Sequence, residues 1–156
     1  AFMVRAPRAQ VVGSKRVVLF APRDADNLYM VGDKSAVADI ERPDLARFPR
    51  FARATPYEAA LGPGDVLFIP ALWFHNVVAR DFSVAVNVFW KHLPPEEYAG
   101  KDAYGNKDPA SAHKASMQLA AALKSLAALP PDHRDFFARR LVAKIKDTCY
   151  LQPDAP

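Results

Sequence analysis

The sequence predicts a mainly β domain, a jelly roll or small barrel, followed by a helical hairpin. Three observations carry that reading. Short apolar segments recur through the first 90 residues, each closed by Pro, Gly or a charged turn. After Trp90 the chain turns polar, and KHLPPEEYAGKDAYGNKDP (91–109) is broken by Pro and Gly. Beyond it, apolar residues recur at helical spacing in two stretches.

Taken in order, RVVLFA (16–21) reads as a buried strand ended by Pro22. Residues 31–56 carry turn signals and scattered prolines, which predicts a long loop with one short helical turn at 43–48. YEAAL (57–61) is a short strand, GPGD (62–65) a turn, and DVLFIP (65–70) a strand closed by Pro70. WFHNVVA (73–79) and FSVAVNVFW (82–90) read as two strands of a hairpin turning at Arg80-Asp81. Asp108-Pro109 sets a helix start, with Asp as N-cap and Pro at the first helical position. Leu119, Leu123 and Leu126 give that helix its stripe. Leu129-Pro130-Pro131-Asp132 breaks it, and Phe137, Leu141 and Ile145 mark a second helix. The expected organisation is a β part at 1–90, a connection at 91–108, an αα-hairpin at 109–150 and a tail at 151–156.

Composition sets outer bounds. The chain has 156 residues, about half apolar and a quarter charged, enough for one domain with a real core. Its longest apolar runs are too short to span a bilayer, so no membrane association is expected. The opening AFMVRAPRAQ lacks the apolar run of a signal peptide. Cys149 is alone, which excludes a disulfide framework and a cysteine zinc site and favours an intracellular setting, cytoplasmic or nuclear. The net charge of +4 suits a polyanion such as RNA, and equally an ordinary soluble surface.

His75 is the residue that asks for an explanation. Side chains alternate along a strand, so Trp73, His75 and Val77 share one face. On the following strand Ser83, Ala85, Asn87 and Phe89 share a face, and Phe82, Val84, Val86, Val88 and Trp90 share the other. The large apolar set is expected in a core. The small, polar set leaves room for a ligand, and Asn87 can hydrogen-bond a carboxylate. On periodicity alone, a single histidine is more often a satisfied core residue than a ligand.

GDVLFIPALWFHNVV (64–78) followed by FSVAVNVFWKHLP (82–94) resembles the second half of JmjC-type cupin dioxygenases. Within them the chain is most similar to the hydroxylases of tRNA wybutosine synthesis. That pattern continues through GSKRVVLFAPRDADNLY (13–29), KHLPPEEY (91–98), YGNKDP (104–109) and LPPDHRDFFARR (129–140). The resemblance covers residues 9–150 and implies a partial double-stranded β-helix. It further implies Fe(II) held by two His and one carboxylate, with open positions for 2-oxoglutarate and oxygen. His75 then corresponds to the distal histidine ligand. Lys15 corresponds to the cation paired with the far carboxylate of 2-oxoglutarate, and Asn87 to a cosubstrate contact or a support beside the metal. Without the resemblance, Lys15 reads as a solvated strand-end lysine. The substrate implied is a modified guanosine of phenylalanine tRNA. The helical pair at 109–150 implies a homodimer.

The sequence also departs from that family. The His-x-Asp pair expected before Gly13-Ser14-Lys15 is absent from AFMVRAPRAQVVG, as is the Asn expected near Ala6. His133-Arg134-Asp135 is no substitute, because i and i+2 diverge on a helix. His92 and His113 fall at expected surface positions. Residue 1 is Ala, and the chain is expected to be the C-terminal portion of a longer or misjoined protein, inactive by itself. Two further readings stay open: a non-catalytic cupin module whose helices dimerise, and a JmjC hydroxylase acting on a protein side chain.

Overall fold

The computed structural model describes residues 6–32, 34–89, 91–102 and 107–150. Among the described residues eight strands are formed: β1 (Ala6–Val12), β2 (Lys15–Phe20), β3 (Met30–Val31), β4 (Lys34–Ser35), β5 (Tyr57–Leu61), β6 (Val66–Ile69), β7 (Phe74–Ala79) and β8 (Val84–Asn87). Among the described residues they make two three-stranded antiparallel sheets, β6-β1-β8 and β5-β2-β7, and a small β3-β4 ribbon. Helices α1 (Ala110–Ala127) and α2 (Pro131–Cys149) follow. The chain divides after Ala110 into two compact units.

The β-branched and aromatic run of β2 explains its central place. Val17 through Phe20 are buried, and alternation sends them to two different cores. Val17 and Leu19 join Leu61 and Ile69, with Leu67, Trp73 and Val77 against them. Because Leu67 and Ile69 come from the other sheet, this cluster is where the two sheets face each other. Val18 and Phe20 point the opposite way, to Leu28, Val37 and Phe51 of the long connection. That connection is therefore a packed cover. Full burial of each such side chain contributes about 1.5–3 kcal/mol. Buried Asp24 pins the cover from within: it accepts the Asn27 amide at 3.1 Å and the Thr55 N–H at 3.3 Å.

The cover has more regular structure than its prolines suggest. Pro22–Asn27 and Pro49–Arg53 form 3₁₀ turns, each with Pro in the first turn. The helical turn expected at 43–48 is a single one: Asp44 O accepts the Phe48 N–H at 2.8 Å while its carboxylate accepts the N–H groups of Ala46 and Arg47. Tyr29 sits at φ +50°, in the left-handed region. For a bulky residue that costs about 1–2 kcal/mol and needs neighbours to hold it. Those neighbours are Phe48, edge to face at 5.1 Å, and the Arg50 N–H, donating to the Tyr29 hydroxyl at 2.9 Å.

Two expectations are corrected. Residues 73–79 and 82–90 do not form a hairpin. β7 pairs with β2, and β8 pairs with β1, so the chain crosses between sheets at Arg80–Ser83. The apolar set of β8 is not core either: Phe82 is 83% exposed and Val86 and Val88 54% each. Cross-strand pairing puts Val86 opposite Ala9, which in turn faces Val66, so they share the sheet's outer face. Trp90 lies outside the described residues, as do 1–5 and the tail 151–156. In the helical unit the apolar stripes are not covered. Leu119, Leu123, Phe137, Leu141 and Ile145 all remain at least 40% exposed, and neither helix has a buried residue. A two-helix unit has too little apolar area to close on itself.

Arg16 ties the cover to the sheet. Its guanidinium bonds Glu58 of β5 at 2.7 and 3.0 Å and also reaches Glu41 of the cover. The hydrogen bond from Arg16 holds the Glu58 carboxyl below the usual glutamate range. A depressed carboxylate adds stability above its unfolded pKa and loses it as pH falls through the lower folded value. Arg16→Gln should therefore lower the urea midpoint at neutral pH, with the gap to the parent closing below the ordinary glutamate range. A gap that stays constant from pH 7 to pH 3 would show that Arg16 acts by packing alone.

Candidate functional site

The site is built on the turn between β1 and β2. Gly13 turns it at φ +73°, and a Cβ there would lie 2.1 Å from the Phe82 carbonyl oxygen, so no side chain fits. Ser14 follows, donating its N–H and its hydroxyl to the Asp81 carboxylate at 2.7 and 3.0 Å. The Arg80 N–H also donates to Ser14 O at 3.0 Å. This lashes the β1–β2 turn to the crossover between β7 and β8. The strands bearing Lys15, His75 and Asn87 are thus joined at one end.

Register then orients them. Lys15 lies opposite Ala79 and Leu19 opposite His75, so Lys15 and His75 occupy neighbouring strands and the same face of β5-β2-β7. Four residues separate them along β7, about 13 Å at strand rise. That face also carries Val17, Leu19 and Leu61 of the inter-sheet cluster. Asn87 lies opposite Arg8, which lies opposite Leu67, so Asn87 is on the face of β6-β1-β8 that turns toward the same cluster. Ser83 and Ala85 share that face and are half-buried, while Asn87 is exposed.

Each candidate has a distinct setting. Lys15 is half-buried and makes no ion pair among the described residues. A lysine so placed is suited to an incoming carboxylate. His75 is half-buried, with Nδ1 3.4 Å from Trp73 O. Trp73 stacks edge to face on Tyr57 at 5.4 Å, and Tyr57 lies opposite Leu19. Just before Trp73, Leu72 adopts φ +67°, a strained turn conformation next to the candidate ligand. A cavity of about 270 Å³ borders His75 and Trp73, but its other walls are Phe20, Phe74, Asn76 and the cover, and Lys15 is not among them.

Sequence reading missed Gln10. It is 2% exposed, and its amide donates to Val12 O at 2.6 Å, Gly13 O at 3.0 Å and Ser83 Oγ at 2.8 Å. Its Oε1 has no partner among the described residues. Gln10 fixes the Gly13 turn from inside and joins β1 to the start of β8. No periodicity signals it, because a glutamine in an irregular opening segment looks like surface.

The fit to iron is incomplete. Among the described residues no three His, Cys, Asp or Glu side chains gather as a metal would need. His133 and Asp135 lie on the first turns of α2, where Asp135 pairs with Arg139 at 2.7 Å. His92 is exposed, and its N–H donates to the Tyr98 hydroxyl at 2.9 Å. His113 is exposed on α1.

Comparison with known proteins adds to this geometry. The pattern of the cupin-like domain matches residues 7–96. A human protein named tRNA wybutosine-synthesizing protein 5 is 59% identical over 141 residues, 90% of this chain and 45% of the relative. A zebrafish protein of the same name is 57% identical over 144 residues, 92% of this chain and 44% of the relative. A Gibberella zeae protein named tRNA wybutosine-synthesizing protein 4 is 41% identical over 138 residues, 87% of this chain and 13% of the relative. The chain thus spans less than half the length of these relatives.

Proposed function

The chain belongs to the cupin-like domain family, and from that membership we propose that it serves a JmjC-type, 2-oxoglutarate- and Fe(II)-dependent hydroxylase of tRNA wybutosine biosynthesis. The observation that carries this reading is the 59% identity to the human wybutosine-synthesizing relative over 90% of the chain. The shared face of Lys15 and His75 supports it.

In this reading Lys15 pairs its ammonium with the far carboxylate of 2-oxoglutarate, and Asn87 offers an amide to the same ligand. The apolar pair Val17 and Val77, between the levels of Lys15 and His75, keeps water from the charge pair and strengthens it. His75 supplies one imidazole to the metal. One imidazole does not retain Fe(II), because affinity comes from the full ligand set. The substrate proposed is the modified guanosine of phenylalanine tRNA.

A second, compatible reading concerns oligomerisation. The stripes of α1 and α2 stay exposed, with Phe136 at 56% and Val142 at 50%. We propose that 109–150 forms a homodimer, in which a handful of buried Phe, Leu and Ile side chains, each contributing about 1.5–3 kcal/mol, outweighs the entropy of association.

The chain alone should retain no stoichiometric iron after equilibrium dialysis and release no succinate. A chimera that adds the human relative's residues outside its matched segment should release succinate in the presence of phenylalanine tRNA carrying the modified guanosine. In it His75→Ala should lower the rate at least ~100-fold, and Lys15→Ala should raise the KM for 2-oxoglutarate. An inactive chimera, or one indifferent to His75, removes the hydroxylase reading. For the dimer, light scattering at tens of micromolar, about where an interface of 6–7 kcal/mol shows, should give twice the chain mass. Phe136→Glu with Leu141→Glu should halve it. A monomeric parent ends the dimer proposal.

A further inference from the structure

The cover over the β5-β2-β7 sheet carries a second feature that the hydroxylase reading does not use. Residues 42–53 (RPDLARFPRFAR) hold four arginines against one aspartate. Two of those arginines are stacked on rings. The Arg47 guanidinium lies 5.0 Å from the centre of Phe48, and that of Arg50 lies 4.5 Å from the centre of Tyr29. Phe48 and Tyr29 are themselves edge to face at 5.1 Å, so Arg47, Phe48, Tyr29 and Arg50 form one continuous stack. Tyr29, whose ring lies beneath Arg50, has a left-handed backbone conformation. Both rings are packed against the cover's core, while both guanidinium groups belong to exposed residues.

Charge in this stack is not neutralised. Arg47, Arg50 and Arg53 make no ion pair among the described residues. Asp44, the carboxylate three residues before Arg47, is taken up by the N–H groups of Ala46 and Arg47. Asp26 borders the groove beside Tyr29 and Arg50 without pairing to either. Arg16 differs, being held by two glutamates. Arg50 and Arg53 stand three apart on a 3₁₀ turn, a spacing that eclipses their side chains. Unpaired arginines already immobilised on aromatic faces lose little entropy on meeting a phosphate, and the guanidinium fork matches phosphate oxygens in pairs.

We propose that Arg47, Arg50 and Arg53 form a phosphate-binding edge that contacts the backbone of an RNA, with Tyr29 and Phe48 as the positioning residues that hold the two stacked guanidinium groups. The partner class rests on the tRNA reading above. The contact is to phosphates, so it adds affinity without reading sequence.

The test is fluorescence anisotropy of the full chain with labelled phenylalanine tRNA, titrated from 50 to 200 mM salt. Each phosphate contact adds about 0.7–0.9 to the slope of log K against log salt. The combined variant Arg47→Gln, Arg50→Gln, Arg53→Gln should lose about 2–3 from that slope and bind at least ~10-fold more weakly at 50 mM salt. Combined Arg→Lys changes at the same three positions should keep most of the slope, because the charges remain. An RNA of unrelated sequence should show the same loss. The proposal is overturned if the parent binds no RNA at 50 mM salt. A Gln variant that keeps the parent slope, or a Lys variant that falls with it, also overturns it. The outcomes separate from those of the chimera: an inactive chimera with this slope change removes the hydroxylase and leaves the phosphate edge, and the converse pair of results does the reverse.

Discussion

Everything in the β part depends on β2 being buried on both faces. Most antiparallel strands turn one face to water. Here Val17 and Leu19 close the space between the two sheets, while Val18 and Phe20 draw Leu28, Val37 and Phe51 onto the back. Four consecutive buried residues thus fix the register with β5 and β7 and fold the cover in one act. A slip of one residue would exchange the two cores and turn Lys15 away from the face of His75. The arginine edge has the same origin, because Phe48 and Tyr29 are placed by packing against the cluster that Val18 and Phe20 begin.

The second constraint is local and polar. The Gly13 turn has no room for a Cβ, Gln10 holds it from inside, and Asp81 clamps Ser14 from the crossover. Two sheets that share apolar contacts could slide; this clamp sets their ends against each other. It also explains why Arg80-Asp81 is a crossover and not a hairpin turn. Asp81 bonds back to the other turn, so the chain leaving β7 is carried to β1 and pairs there. In the helical unit the apolar stripes of both helices stay exposed among the described residues.

Much of the β part was legible because its signals are local. Pro22, Pro70 and Gly62-Pro63-Gly64 bound strands whatever their partners, and Tyr57–Leu61 forms over the residues read as a strand before the Gly62-Pro63-Gly64 turn. The two helices follow from spacing and from Pro130-Pro131. What was not legible is long-range. β1 went unread because Pro7, Arg8 and Gln10 interrupt its apolar pattern, and its pairing is with strands more than 50 residues away. The outer face of β8 was misread as core because Val84, Val86 and Val88 announce burial by composition alone, and partner strands decide which face is covered. Of the candidate site, the faces of His75 and Asn87 could be read from alternation. Lys15 carried no signal beyond family resemblance, and Gln10 none at all.

Lys15 and His75 share one face of the β5-β2-β7 sheet, the face proposed to meet the carboxylate and the metal. The most direct measurement is backbone amide NMR of the chain during titration with 2-oxoglutarate. The account predicts shifts confined to residues around Lys15, the facing residues of β7 and Asn87, with Lys15→Ala abolishing them and His75→Ala leaving those around Lys15 in place. Shifts that cluster instead at the cavity behind β7, or that survive Lys15→Ala unchanged, would contradict it.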